Sequence, residues 1–183
     1  MAELLAARGA VIVDADRLAR EVVAAGTPGY EAVVARFGDA IVAADGTLDR
    51  AALARVVFDD PAALADLNAI VHPAVRAAIA ARVAELAATD SIVVLVIPLL
   101  VESGRSYGES VVIVVDCPED VAVRRLVVER GMDEADARRR MAAQVSRTDR
   151  LAAADIVIDN SGGREALERQ VDTVWDRLAA LRE

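Results

Sequence analysis

The 183 residues are enough for one domain with a sizeable core, and a formal net charge of −9 argues against a general nucleic-acid binder. The longest apolar run, Ile92 to Val101, holds ten residues and includes Pro98, so no membrane span is expected, and no signal-like opening suggests secretion. One cysteine (Cys117) rules out an internal disulfide and suits the cytoplasm; with one histidine it argues against zinc, and with no lysine among the 21 basic residues, anionic substrates fall to arginine and backbone N–H groups.

In chain order, four segments read as buried strands: Ala10–Val13, Ser91–Ile97, Ser110–Asp116 and Asp155–Asp159. They are short, rich in Val and Ile, and apolar at successive positions, as in a parallel sheet covered on both faces. Helices between them make the class α/β. Between the first two strands the spacing predicts helices at Ala15–Ala25, Gly29–Phe37, Arg50–Phe58, Pro61–Ala69 and His72–Ala88. Turns at Gly26-Thr27-Pro28, Asp45-Gly46-Thr47 and Asp59-Asp60-Pro61 separate them. Such an insert is either a substrate-holding subdomain or extra packing. After the third strand come helices Glu119–Arg130 and Glu134–Val145, and the last helix is Arg164–Leu181, with Leu167, Val171, Val174 and Leu178 facing the sheet. Eight arginines lie within the 27 residues from Arg124 to Arg150, a local reversal of charge on an acidic chain. They form either a solvated face or a lid that closes over phosphates.

Three strings carry more. The first is Val11-Ile-Val-Asp-Ala-Asp16 with Leu18-Ala-Arg-Glu-Val-Val23 and Gly26-Thr27-Pro28. The second is Gly46-Thr-Leu-Asp-Arg50, then Ile70-Val-His-Pro73 with Arg76. The third is Ile97-Pro-Leu-Leu-Val-Glu102, ending in Ala143-Gln144 and Asp159-Asn160-Ser161-Gly162. In this order the chain resembles the dephospho-CoA kinases over essentially its whole length, the actinobacterial members most.

The resemblance implies a P-loop, nucleoside monophosphate kinase-like fold in a single kinase-like domain, 1–183. Residues 17–88 would be the helical insert that binds the CoA substrate, and 119–150 the lid region. The implied reaction moves the γ-phosphoryl of ATP, with Mg²⁺, to the ribose 3′-hydroxyl of dephospho-CoA, giving CoA and ADP. The partners are then ATP and dephospho-CoA; oligomeric state is left open.

Asp16 would orient the 3′-hydroxyl and accept its proton, across a cleft from the lid. An aspartate is a weak base at about 3.9, so orientation should dominate. On residue type alone Asp16 is equally a helix N-cap, and the capping and substrate roles are shared between Asp14 and Asp16. Arg125 matches a lid arginine that reaches ATP phosphates, with Arg150 a second. His72, in a His-Pro turn, is either a structural residue or an acid–base catalyst, and the resemblance sets it among the substrate-binding residues; Arg76 either holds a dephospho-CoA phosphate or sits on the surface. Thr27, Pro98, Leu99, Leu100 and Glu102 complete the acceptor pocket. Asn160 is placed for adenine, although a plain turn also favours Asp-Asn-Ser-Gly.

The family pattern opens with a strand and a Gly-x-x-x-x-Gly-Lys-Ser/Thr loop, whose N–H groups and lysine cradle phosphates while its hydroxyl binds Mg²⁺. These residues contain no such loop, and Met1 to Ala10 reads as the later part of the helix after it. The expectation is a misplaced start, a GUG valine codon read as Met1, with about 15–20 residues upstream. The chain alone is expected to be inactive and to fold poorly. A central strand of about five buried apolar residues, at roughly 1.5–3 kcal/mol each, contributes on the order of 10 kcal/mol. Val96 also stands where many relatives carry an acidic residue, which bears on the Mg²⁺ assignment.

Overall fold

A computed structural model describes residues 1–104, 106–108 and 111–181. In chain order the elements open with α1 (Ala2–Ala6), β1 (Val11–Asp14), α2 (Ala15–Glu21), α3 (Pro28–Phe37), α4 (Arg50–Phe58) and α5 (Pro61–Leu86). Next come β2 (Val93–Val96), α6 (Leu100–Ser103), β3 (Ile113–Asp116) and α7 (Glu119–Arg130). The chain continues through α8 (Glu134–Ala142), α9 (Arg147–Ala152), β4 (Ile156–Asp159) and α10 (Arg164–Ala180). The contacts divide into two compact units, one of Met1–Val11 with Pro98–Glu183 and one of Ile12–Ile97.

In the Ile12–Ile97 unit, β1 pairs with β2 and the intervening helices are capped by the turn residues the sequence offers. Asp14, Thr27, Asp49 and Asp60 each accept from a backbone N–H in the first turn of α2, α3, α4 and α5. Gly29 is required by packing: a Cβ there would meet the Val22 carbonyl oxygen at 2.2 Å. Val23, Val33 and Ile41 form the buried core, with Phe37, Leu53 and Leu67 packed against it.

The expected break between Ala69 and His72 is absent. α5 runs unbroken for 26 residues with Pro73 inside it. Proline removes one N–H and crowds the carbonyl four residues back, but a helix this long retains its other hydrogen bonds and its contacts with α2, α3 and α4.

In the other unit, β3 and β4 are parallel, in register from Ile113 opposite Ile156 to Asp116 opposite Asp159. Ser110, the expected start of the third strand, lies outside the described residues. Ile156, Ile158 and Val174 form the core, joined by Met1, Ile113, Leu167 and Leu178, so α10 turns inward the four residues its spacing predicts. Arg8 fastens α1 to α10 through Asp172, by Nε at 2.7 Å and Nη2 at 2.5 Å. Full burial of both sheet faces does not hold. Val115 and Val157, on opposite faces by the register, are 42% and 48% exposed.

The expected helix Glu134–Val145 ends early, and a further short helix lies beyond it. α8 ends at Ala142 and α9 restarts behind Ser146, whose hydroxyl oxygen accepts the Asp149 N–H at 3.1 Å. Ser-x-x-Asp is a capping-box spacing, a signal present in the sequence.

Candidate active site

At the end of β1 the two neighbouring aspartates divide their work. One oxygen of Asp14 accepts the N–H of Asp16 at 2.8 Å and that of Arg17 at 3.1 Å, so Asp14 is the N-cap of α2. Asp16 stands in the first turn, exposed, and no hydrogen bond or ion pair reaches its carboxylate among the described residues. The capping role weighed for Asp16 therefore belongs to Asp14.

Thr27 caps α3: its hydroxyl oxygen accepts the Tyr30 N–H at 3.1 Å, and its proton is placed for the carbonyls of Val22 and Ala24, both at 2.8 Å. His72 and Arg76 are exposed, one turn apart on the same face of α5, and neither has a partner among the described residues. His72 thus lies within a helix and not in a His-Pro turn.

In the second unit, Pro98 and Leu99 are exposed ahead of α6, and Leu100 and Glu102 are half-buried within it. The polar groups gather instead at the carboxyl ends of β3 and β4, the end of a parallel sheet where ligands bind. Asp116 is buried and accepts from Arg147, at 2.9 and 3.0 Å from Nε and 2.6 Å from Nη2. These hydrogen bonds and the carboxylate's charge raise the Arg147 guanidinium above its ordinary value.

The turn after β4 is tied from several sides. The Asn160 N–H donates to the Asp116 carbonyl at 2.7 Å, and the Ser161 N–H to the Asp159 carboxylate at 2.8 Å. Gln170 of α10 accepts the Asp159 N–H and donates to its carbonyl, both at 2.8 Å. Arg125 of α7 donates to the carbonyls of Asn160 at 2.6 Å and Gly162 at 3.2 Å. Hydrogen bonding from Ser161, side chain then backbone, with a smaller pull from Arg147, holds Asp159 below the usual carboxylate range.

Arg125 and Asn160 are thus brought together. Arg150, on α9, donates to the Val145 carbonyl at 2.9 Å and to Gln144 at 3.4 Å. Arg147 is one of the eight clustered arginines, and Asp116 and Gln170 join the site only in the structure; the cue in the sequence is a charged residue closing an otherwise apolar strand, followed by the Ser146 cap.

The family profile described as Dephospho-CoA kinase matches residues 1–166. The chain belongs to the dephospho-CoA kinase family. A dephospho-CoA kinase of Streptomyces avermitilis is 52% identical over 181 residues, covering 97% of this chain and 86% of that one. Another, of Leifsonia xyli subsp. xyli, is 50% identical over 180 residues, covering 97% and 91%. Among solved structures, TT1252 from Thermus thermophilus superposes with a TM-score of 0.78 at 34% identity, covering 97% of this chain and 89% of that one. The dephospho-CoA kinase of Campylobacter jejuni has a TM-score of 0.69 at 21% identity over 97% and 89%, and bears on the fold alone. The fold is therefore that of the P-loop kinases to which these enzymes belong. No helix among the described residues of this family member is long and apolar enough to cross a membrane.

Proposed function

We propose that this chain serves ATP-dependent phosphorylation of the ribose 3′-hydroxyl of dephospho-CoA, with Asp16 as the residue that orients the acceptor. The observation that carries this is the state of Asp16: exposed just past β1, with its capping work done by Asp14 and no competing partner among the described residues. Phosphoryl transfer needs in-line placement of the acceptor and cancellation of charge on the moving group. A carboxylate accepting a hydrogen bond from the 3′-hydroxyl supplies the first and receives the proton as the bond to phosphorus forms. His72 and Arg76, exposed on α5 and without a partner among the described residues, suit a phosphate of dephospho-CoA. On the donor side, Asn160 suits adenine, and Arg125 and Arg150 suit the phosphates through N–H groups their present bonds leave over.

The described residues hold no group of three or more His, Cys, Asp or Glu side chains fit for a metal. A Mg²⁺ ion carried on the ATP phosphates needs no such group, only one or two carboxylates. The glycine-rich phosphate loop of the family pattern is likewise not among these 183 residues. The test is ATP-dependent CoA formation by the chain as given and by a form extended upstream from its coding DNA. Turnover is expected from the extended form, and Asp16→Asn is expected to lower kcat on the order of a hundredfold with ATP affinity nearly intact. Equal loss of both would make Asp16 structural. An inactive extended form, beside a 183-residue chain that binds CoA tightly, would mark a binding protein instead.

A further inference from the structure

Asp116 holds two things at once. Its carboxylate, the one buried charged side chain among the described residues, takes Arg147 at 2.6 to 3.0 Å. Its main-chain carbonyl takes the Asn160 N–H at 2.7 Å. Arg147 is the first residue of α9, and Arg150 lies one turn further along that helix. One residue at the tip of β3 thus fixes the helix that bears Arg150 through its side chain, and the turn that bears Asn160 through its backbone. Arg125 closes the same turn by gripping the carbonyls of Asn160 and Gly162.

Elementary chemistry narrows what this pair does. A carboxylate withdrawn from water needs a charged, hydrogen-bonding partner, and a guanidinium meets it with two N–H groups along one edge where an ammonium would give a single point of charge. The contact is therefore directional: it sets the orientation of the first turn of α9 and not merely its proximity. Arg147 spends Nε and Nη2 on Asp116, which leaves it poorly placed to grip a ligand phosphate with the same edge.

We infer that Asp116 and Arg147 are a positioning pair for the ATP side of the reaction, placing Arg150 and Asn160 without touching the nucleotide themselves. This rests on the kinase reading above. In the CoA-forming assay, Arg147→Ala is expected to raise KM for ATP about tenfold, a loss near 1.4 kcal/mol, with kcat and KM for dephospho-CoA changing less than about twofold. Arg147→Lys should fall between, and millimolar ethylguanidinium should restore KM for ATP in Arg147→Ala. An unchanged KM for ATP, or an equal rise in both KM values, overturns the inference. Hydrogen exchange on the same proteins reads the coupling without nucleotide: Arg147→Ala should speed exchange of the Asn160 N–H together with the α9 amides, and release of α9 alone counts against it. If the parent protein in its extended form neither binds ATP nor turns over, the kinase reading has failed, and the exchange result alone decides the coupling.

Discussion

Thr47 grips Asp45 twice, donating its hydroxyl to one carboxylate oxygen at 2.7 Å and its N–H to the same oxygen at 3.0 Å. Those bonds, the hydroxyl's first, hold Asp45 below its ordinary value, as Ser161 does for Asp159. A carboxylate depressed in the folded state adds stability that is fully present above the unfolded value of about 3.9 and is lost as pH falls through the folded value. Urea melts are therefore expected to be insensitive to these two groups from pH 7 to about 5, with their contribution fading below about 4. Thr47→Val should flatten part of that acid limb, and an identical limb in the variant would remove Asp45 from the account. At this scale the sequence was only partly legible. Aspartates before helices announce caps, yet whether Asp14 or Asp16 served α2 depended on where β1 ended, a matter of one or two residues. The Asp116–Arg147 contact spans 31 positions, and no local pattern encodes which of eight clustered arginines would reach it.

Among elements, strand and helix types were the most legible part, because β-branched runs and helical spacing report burial directly. Boundaries and continuity were less so. Pro73 reads as a stop, but tertiary contacts of α5 with α2, α3 and α4 outweigh a local cost of about 3 kcal/mol for proline inside a helix. Its ring is exposed, so replacing it removes little packing. Pro73→Ala is expected to raise the unfolding free energy by as much as about 3 kcal/mol, read from urea or thermal melts. No gain, or a loss, would mean that α5 needs the local geometry proline imposes. α9 shows the opposite failing: the Ser146 capping signal is in the sequence, but a helix of six residues carries too short a periodic pattern to announce itself. The exposure of Val115 and Val157 depends on what packs over each face, which no single strand's residues report.

At the scale of the whole molecule, the described residues include more than one buried apolar cluster. One gathers around Val23, Val33 and Ile41, another around Ile156, Ile158 and Val174, and these two share no residue. Ile41 and Ile158 are both fully buried at 0% exposure. Truncating either to alanine removes the same atoms, at about 2–5 kcal/mol depending on how far each site collapses. Native-state hydrogen exchange then reads where that loss is felt. Ile158→Ala is expected to speed exchange in β3, β4 and α10, and Ile41→Ala in α3, α4 and α5, each while the other set keeps its protection. A uniform rise along the chain from either substitution would mean that the two cores unfold as one cooperative body. In that case a lesion in the Ile12–Ile97 unit would also disturb the turn held by Asp116 and Arg125. Under the divided arrangement, Ile41→Ala should leave protection of the Asn160 N–H unchanged.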